Sequence, residues 1–138
     1  IIILEGWCVG AKPQKNSELI KPINSIEKTR DFDLVWRKYV NVQLKTNYKK
    51  LFKQIDKIIY LKANNFRVLQ KWRLKQEKTL LLKSRNKKKI RIMNRNDIIN
   101  FMQTYQRITQ NMFKNAPKYA SIVMKLNSNQ QIDSIKFK

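Results

Sequence analysis

The 138-residue sequence contains no histidine, one cysteine, two glycines and three prolines, and only nine of its residues are acidic. Without histidine, and with Cys8 alone, the chain cannot supply the ligands of a zinc site or build a Ser-His or Cys-His nucleophile. A single cysteine also excludes a disulfide within the chain, which favours a reducing compartment, and we predict a cytoplasmic location. Catalysis by this chain would have to use carboxylates, Lys, Arg, Tyr or a hard metal ion.

The sequence also lacks a long apolar run, since no stretch approaches the roughly 20 residues of a membrane span. What it has in excess is positive charge, because 31 Lys and Arg residues give a formal net charge of +22. That excess favours an anionic partner, with nucleic acid, nucleotide or a membrane surface as candidates. Codon bias in an AT-rich genome explains the same abundance of Lys, Asn and Ile without a partner, and we take it as the larger contributor.

Short apolar, β-prone runs alternate with segments whose apolar residues recur every three or four positions. This alternation predicts an α/β fold with a parallel sheet. Such sheets usually have more strands than are found here, so we expect residues 1–138 to form a single, partial domain that lacks its amino-terminal half. The expected elements are strands at 1–5, 58–61 and 122–126, an edge piece at 134–138, a loop over 12–29, and helices over 36–55, 66–80 and from Asn94 or Asn96 to Pro117.

The segment 83–96 is strongly basic with little apolar content, so we expect a mobile loop there. A basic run can bind RNA, but this one lacks interleaved aromatic residues for base stacking, and a solvated loop is the favoured interpretation. Short polar residues before each helical pattern predict amino-terminal caps. The candidates are Asp31 or Asp33, Asn64 or Asn65, and Asn94 or Asn96.

Glu5 and Gly6 end the first apolar run. An acid at the carboxyl end of a strand can bind Mg²⁺ directly or through water, or orient a nucleophile in phosphoryl transfer. On these residues alone a turn that needs glycine is the favoured interpretation. Arg37 and Asn41, in the segment DLVWRKYVN, could face a ligand, and a plain helix start explains them equally well.

Arg73 and Lys75 follow Trp72 in a basic helical segment and could neutralise phosphate charge, as lid residues do. Arg73 and Glu77 are also spaced for an i,i+4 surface pair, which is the favoured interpretation without further information. Arg107 lies in the middle of the last predicted helix, where a solvated charge is the alternative to a ligand contact.

Taken in order, these segments resemble the D-glycerate 3-kinase-like proteins of bacteria and plants, which are P-loop kinases related to uridine kinase and phosphoribulokinase. The ordered segments are EGWCVGA, PINSIE, DLVWRKYVN, YKKLFKQID, IIYL, FRVLQKWRLKQEKTL and YQRIT. They extend from Ile1 to about Leu126 and correspond to the carboxyl-terminal part of that family. No single segment is diagnostic, but the ordered set is fairly specific.

The resemblance implies an incomplete P-loop NTPase-type parallel sheet with flanking helices. It implies ATP and Mg²⁺ as cofactors and transfer of the γ-phosphoryl group to a hydroxyl of a small acceptor such as D-glycerate. Glu5 would lie near Mg²⁺ and the acceptor, and Arg73 would be a lid arginine facing the phosphates. The expected nucleotide or acceptor contacts are Arg37, Asn41, Lys75 and Arg107.

The sequence departs from that family in its phosphate loop. With only Gly6 and Gly10, the sequence contains no G-x-x-x-x-G-K-S/T motif. Family members often have Pro and Ser before Phe66, where this chain has Asn64 and Asn65, and an acid is lost at Gln106. We therefore expect the chain alone to be inactive and its partner to be the missing amino-terminal half, with no membrane partner. The alternative is a basic, non-catalytic RNA-binding or ribosome-associated protein.

Overall fold

Six helices and three strands follow one another in a computed structural model that describes residues 1–83 and 93–138. None of the helices in these two ranges is long and apolar enough to cross a membrane. Of the basic loop expected over 83–96, residues 84–92 lie outside the described residues, Lys83 belongs to the preceding helix and the next helix begins at Arg95. The elements are α1 (Asn16–Ile20), α2 (Ser25–Thr29), α3 (Val35–Lys45), α4 (Asn47–Phe52), β1 (Ile59–Lys62), α5 (Phe66–Lys83), α6 (Arg95–Tyr119), β2 (Ile122–Leu126) and β3 (Ile132–Phe137).

The three strands form a mixed sheet in the order β1-β2-β3, so the expected α/β class is confirmed. β1 and β2 are parallel, with Ile59 opposite Ile122. β3 runs antiparallel to β2, with Phe137 opposite Ile122, so the expectation of an all-parallel sheet is wrong there. The reason is the short connection, because a parallel pair needs a crossover of about a dozen residues or more. Asn127 instead closes a tight turn by accepting hydrogen bonds from the N–H groups of Asn129 and Gln131.

The expectation of a buried strand at residues 1–5 is wrong in this structure. Ile1, Ile2 and Ile3 have no strand assignment and are almost fully exposed. A segment becomes a strand only when it pairs with another strand. The described sheet consists of β1, β2 and β3, and residues 1–5 pair with none of them. The apolar run thus has the composition of a strand without a strand beside it.

The expected loop over 12–29 contains the two short helices α1 and α2. The helix expected over 36–55 is broken at Thr46, whose backbone leaves the helical region and whose hydroxyl donates to the Val42 carbonyl. Its buried face is also different, because Arg37, Asn41 and Leu44 are buried while Trp36 is 65% exposed.

The cap predictions are largely confirmed. The Asn65 side chain accepts from the Val68 N–H, and the Asn94 side chain accepts from the Asp97 N–H. Asp31 accepts from two N–H groups in the first turn of α3. α6 continues two residues past Pro117, where the loss of one N–H so close to the helix end costs a single internal hydrogen bond.

Two apolar clusters form the core, and α6 contributes to both. One contains Ala11, Leu44, Met112 and Ala116, and joins the loop after Gly10 to α3 and α6. The other contains Phe66, Ile98 and Met102, and packs α5 on the first half of α6. Because α6 is common to both clusters, it is the element against which the site segments are positioned.

Candidate functional site

The segment that follows Glu5 is held on α6 by Trp7. The indole ring stacks on Tyr105, with centroids 5.6 Å apart and planes at 20°. The indole N–H donates to the Thr109 hydroxyl at 3.0 Å, and that hydroxyl donates to the Tyr105 carbonyl at 2.9 Å. Trp7 is therefore fixed by both stacking and hydrogen bonding, although Glu5 itself is exposed.

A run of ring contacts continues from Trp7 to Arg73, and we call it the aromatic ladder (Trp7, Tyr105, Phe101). Tyr105 and Phe101 are one helical turn apart on α6, with ring centroids at 5.2 Å. The Arg73 guanidinium lies over the Phe101 ring, 5.9 Å from its centroid, within the range of a cation–π contact. The structure thus brings the Glu5 segment and Arg73 to the same helix.

Arg73 also has polar partners on its own helix. It donates to the Gln76 side chain at 2.8 Å and pairs with the Glu77 carboxylate at 2.5 Å. The i,i+4 pair expected from the sequence is therefore present. The Glu77 side chain is buried, whereas the Arg73 side chain is 21% exposed and reaches solvent. Lys75, two residues further on, is exposed.

Two other candidate residues, Arg37 and Arg107, lie in a buried quartet with Glu27 and Asp31. Arg107 donates to both oxygens of the Glu27 carboxylate, at 2.7 and 2.6 Å. Arg37 donates through Nε to Asp31 at 2.7 Å and through another nitrogen to the Asp31 carbonyl. A weaker ion pair of 3.6 Å joins Arg37 to Glu27, so the four side chains form one network with balanced charge.

Backbone carbonyls take up the remaining donors of the quartet. Arg107 donates to the carbonyls of Glu18 and Lys21, and Arg37 donates to the Leu19 carbonyl. The two guanidinium groups therefore hold the α1–α2 segment against α3 and α6. Their contacts to nucleotide or acceptor stay predictions, because the donors that we can trace are directed to internal partners.

Sequence reasoning did not identify Glu27 as the partner of these arginines, and it treated Asp31 only as a cap. A usable signal was present, since the chain has only nine acids and three of them precede WRKYVN within ten residues of Arg37. In so basic a chain, an acid close to a predicted helix start is expected to form an ion pair with a nearby arginine, particularly where that arginine is buried.

Asn41 exchanges two hydrogen bonds with the backbone of Gln14, accepting from its N–H at 2.8 Å and donating to its carbonyl at 3.0 Å. Asn111 donates to the Lys12 carbonyl at 2.9 Å. Two amide side chains, one from α3 and one from α6, thus hold residues 12–14 in place. The predicted ligand contact of Asn41 stays a prediction, and its amide is engaged with Gln14.

The turn before this segment is also fixed. Gly10 has φ of +77°, which favours glycine, and a Cβ at this position would lie a tight 3.1 Å from the end of the Ile58 side chain. The Tyr119 hydroxyl donates to the Gly10 carbonyl at 2.8 Å. Burial raises the pKa of Tyr119 and raises the pKa of the Cys8 thiol to about 11. Both groups are therefore neutral at physiological pH.

A magnesium ion would find one candidate carboxylate here. Among the described residues there is no group of three or more acidic, Cys or His side chains that could hold a metal on its own. Mg²⁺ in phosphoryl-transfer sites is usually bound through one or two carboxylates together with phosphate oxygens and water. The exposed Glu5 fits that donor set as the single protein ligand.

Comparisons with known proteins agree with the resemblance found in the sequence. No protein-family model matches the chain. Over 80 residues the chain is 31% identical to the uncharacterized kinase mug58 of Schizosaccharomyces pombe, a stretch that is 57% of this chain and 27% of that protein. The fold is similar to that of D-glycerate 3-kinase from Cryptococcus neoformans, with a TM-score of 0.67 and 19% identity.

The structural similarity covers 96% of this chain and 48% of the D-glycerate 3-kinase. The chain therefore spans about half or less of the length of the proteins that it matches. The predicted resemblance to D-glycerate 3-kinase-like proteins is confirmed, and the shared fold covers nearly the whole chain.

Proposed function

We propose that the chain is part of an ATP-dependent small-molecule kinase that transfers the γ-phosphoryl group to a hydroxyl of a small acceptor such as D-glycerate. The observation that carries this proposal is the fold shared with a D-glycerate 3-kinase over 96% of the chain. The sequence relative named as a kinase supports the same class of reaction. Neither comparison favours the alternative of a non-catalytic RNA-binding protein.

In this proposal Glu5 would hold Mg²⁺, directly or through water. The ion, when bound, would neutralise phosphate charge. Arg73 would face the transferred phosphoryl group, and the exposed Lys75 would add positive charge nearby. The aromatic ladder supports this assignment, because it holds the Glu5 segment and Arg73 on one helix. Arg37, Asn41 and Arg107 remain predicted contacts to acceptor or nucleotide.

The phosphate-binding loop would come from an amino-terminal half of the enzyme, which is the partner we propose. Phosphoryl transfer depends mainly on positioning and charge stabilisation, and the loop supplies much of both. We therefore expect no turnover from residues 1–138 alone. We propose a cytoplasmic location, because a chain with one cysteine forms no internal disulfide, and we propose no membrane partner.

The test compares the purified chain with the longest reading frame that contains it. Each is incubated with ATP, Mg²⁺ and D-glycerate or related hydroxy acids, and phosphorylated product and ADP are quantified. We expect product from the longer protein only. Turnover by the 138-residue chain would refute the need for a partner half. A longer protein that phosphorylates no small acceptor and instead binds RNA tightly, with a steep salt dependence, would refute the kinase proposal.

A further inference from the structure

A cleft of about 700 Å³ opens between residues 10–16 and the α3–α4 pair. None of Glu5, Arg73 and the ladder residues lines it, and of the residues predicted to contact nucleotide or acceptor only Asn41 does. Its volume lies within the range of small-molecule sites, roughly 300–1,000 Å³. Its lining also differs from an ordinary surface depression in charge, in rigidity and in its apolar wall.

The charged side chains of the cleft are all lysines. Lys12 and Lys15 come from the loop side, and Lys45, Lys49 and Lys53 come from α3, α4 and the residue after α4. Among the described residues that line the cleft, none is acidic. Five ammonium groups around one space repel one another. A bound polyanion would attract all five and offset that repulsion.

The loop wall of the cleft is held in place before any ligand arrives. The backbone of Lys12 and Gln14 is fixed by Asn111 and Asn41. The Lys12 ammonium lies 4.0 Å from the centroid of the Tyr119 ring, which limits its motion. Binding therefore costs less conformational entropy than it would at a mobile loop.

The cleft also has an apolar side. Leu44, Phe52 and Ile58 line it together with the ring of Tyr119. Leu44 belongs to the core and Phe52 is half-buried, so this wall is backed by packed protein. A flat apolar group could lie against it while anionic groups meet the lysines.

We propose that this cleft binds a small molecule that carries two or more phosphate groups next to a ring system, the chemistry of a nucleoside diphosphate. Lysine is a compact point charge and a common phosphate ligand, and five of them match a diphosphate better than a single carboxylate. The proposal does not rest on the kinase function, because it is argued from the lysines and the apolar wall, and neither Glu5 nor Arg73 lines the cleft.

The test is a calorimetric titration of the full 138-residue chain with ADP and, separately, with inorganic pyrophosphate, both without Mg²⁺. We expect both to bind, and ADP to bind more tightly because of its ring. The variant Lys45→Gln/Lys49→Gln/Lys53→Gln should weaken both by at least about tenfold, since three phosphate contacts are lost. The control Lys38→Gln/Lys50→Gln/Lys71→Gln removes the same charge from exposed positions outside the cleft and should change affinity less than about twofold.

Equal losses in the two triple variants would refute the cleft, because binding would then reflect net charge alone. Loss of ADP binding in Arg73→Ala, with the cleft variant unaffected, would place the nucleotide at the kinase site instead. Displacement of ADP by a single-stranded RNA, without any binding of pyrophosphate, would assign the lysines to an RNA surface and overturn the small-molecule proposal. Phe52→Ala should weaken ADP more than pyrophosphate, and an equal effect on both would refute the ring contact.

Discussion

Arginine occupies two contrasting environments in this protein, the buried quartet and the end of the aromatic ladder. In the quartet, the side chains of Arg37 and Arg107 are 5% and 10% exposed, and their donors meet acids and carbonyls. At the ladder, Arg73 is 21% exposed, has one acid and one amide as polar partners, and lies over a ring. In the quartet, every guanidinium nitrogen of Arg37 and Arg107 donates to an internal partner, whereas at the ladder the Arg73 guanidinium keeps access to solvent.

The difference shows how to separate structural from functional arginines in a basic chain. A buried guanidinium with internal partners cannot turn to a phosphate without leaving a buried carboxylate unpaired, which is costly. The Arg73 side chain also pairs with a buried acid, Glu77, but it is 21% exposed and can contact a ligand while that pair stays in place. The contrast therefore favours Arg73 over Arg37 and Arg107 as a residue that contacts phosphate.

The largest effect is expected where the quartet is broken. Arg107→Met should lower the free energy of unfolding by about 3–5 kcal/mol, because the Glu27 carboxylate loses its two short hydrogen bonds while buried. Urea unfolding followed by circular dichroism measures this. Lys114→Met, an exposed change of the same charge on α6, is the control and should cost little.

The double variant Arg107→Met/Glu27→Leu distinguishes loss of this ion pair from a general failure to fold. Removing both partners of a buried pair costs much less than removing one, so part of the stability should return. A loss below about 1 kcal/mol in Arg107→Met would contradict the structural role of the quartet. In that case Arg107 would again be a candidate ligand contact.

At the ladder, we expect Arg73→Ala to lower stability less than Arg107→Met does, and to affect mainly catalytic activity. Arg73→Ala should cost about 2–3 kcal/mol, because the buried Glu77 carboxylate loses one ion pair, whereas Glu27 loses two hydrogen bonds in Arg107→Met. In the longer protein that we propose to be active, the same change should lower kcat more than it weakens ATP binding, since the charge contact is strongest in the transition state. Arg67→Ala, also on α5 and exposed, is the matched control, and an unchanged kcat in Arg73→Ala would make Arg73 a surface ion-pair residue.

The smallest effect is expected at Cys8, which follows Trp7 of the aromatic ladder and packs against the cluster of Ala11, Leu44, Met112 and Ala116. Burial raises the pKa of this thiol to about 11, so alkylation should be slow at pH 8 and accelerate as the pH rises toward 11. This pKa is above the ordinary value of 9.0, so the unfolded chain loses the proton first and stability should fall between about pH 9 and 11. Trp7→Ala should speed alkylation by loosening the segment, and an equal rate in both proteins would show that the ladder does not hold Cys8.

Local patterns in the sequence predicted β1, β2, β3 and the caps at Asn65 and Asn94, because strand propensity and capping depend on a few neighbouring residues. The buried face of α3 could not be predicted in this way. Periodicity favours apolar residues, whereas Arg37 and Asn41 are buried because Asp31 and Gln14 supply their partners from outside the helix.

The candidate site was predictable as a set of residues but not as a geometry. Glu5 and Arg73 are predicted from their motifs and stay predictions, whereas their common support on α6 requires contacts between Trp7, Tyr105 and Phe101 that no local pattern contains. The lysine cleft could not be predicted even as a set of residues, because no motif marks it. Its lysines are ordinary surface residues in the sequence, and only the folded loop brings Lys12 and Lys49 to the same cleft.

The attachments of the first twelve residues to α6 have a consequence for biosynthesis. Trp7 bonds to Thr109, Lys12 to Asn111 and Gly10 to Tyr119, which are separated by 102, 99 and 109 residues. Proteins are made from the amino terminus at about 5–20 residues per second, so this segment leaves the ribosome several seconds before its anchors exist. The residues that carry Glu5 are therefore made well before their anchors on α6, and during that interval their apolar run has to be kept from other chains.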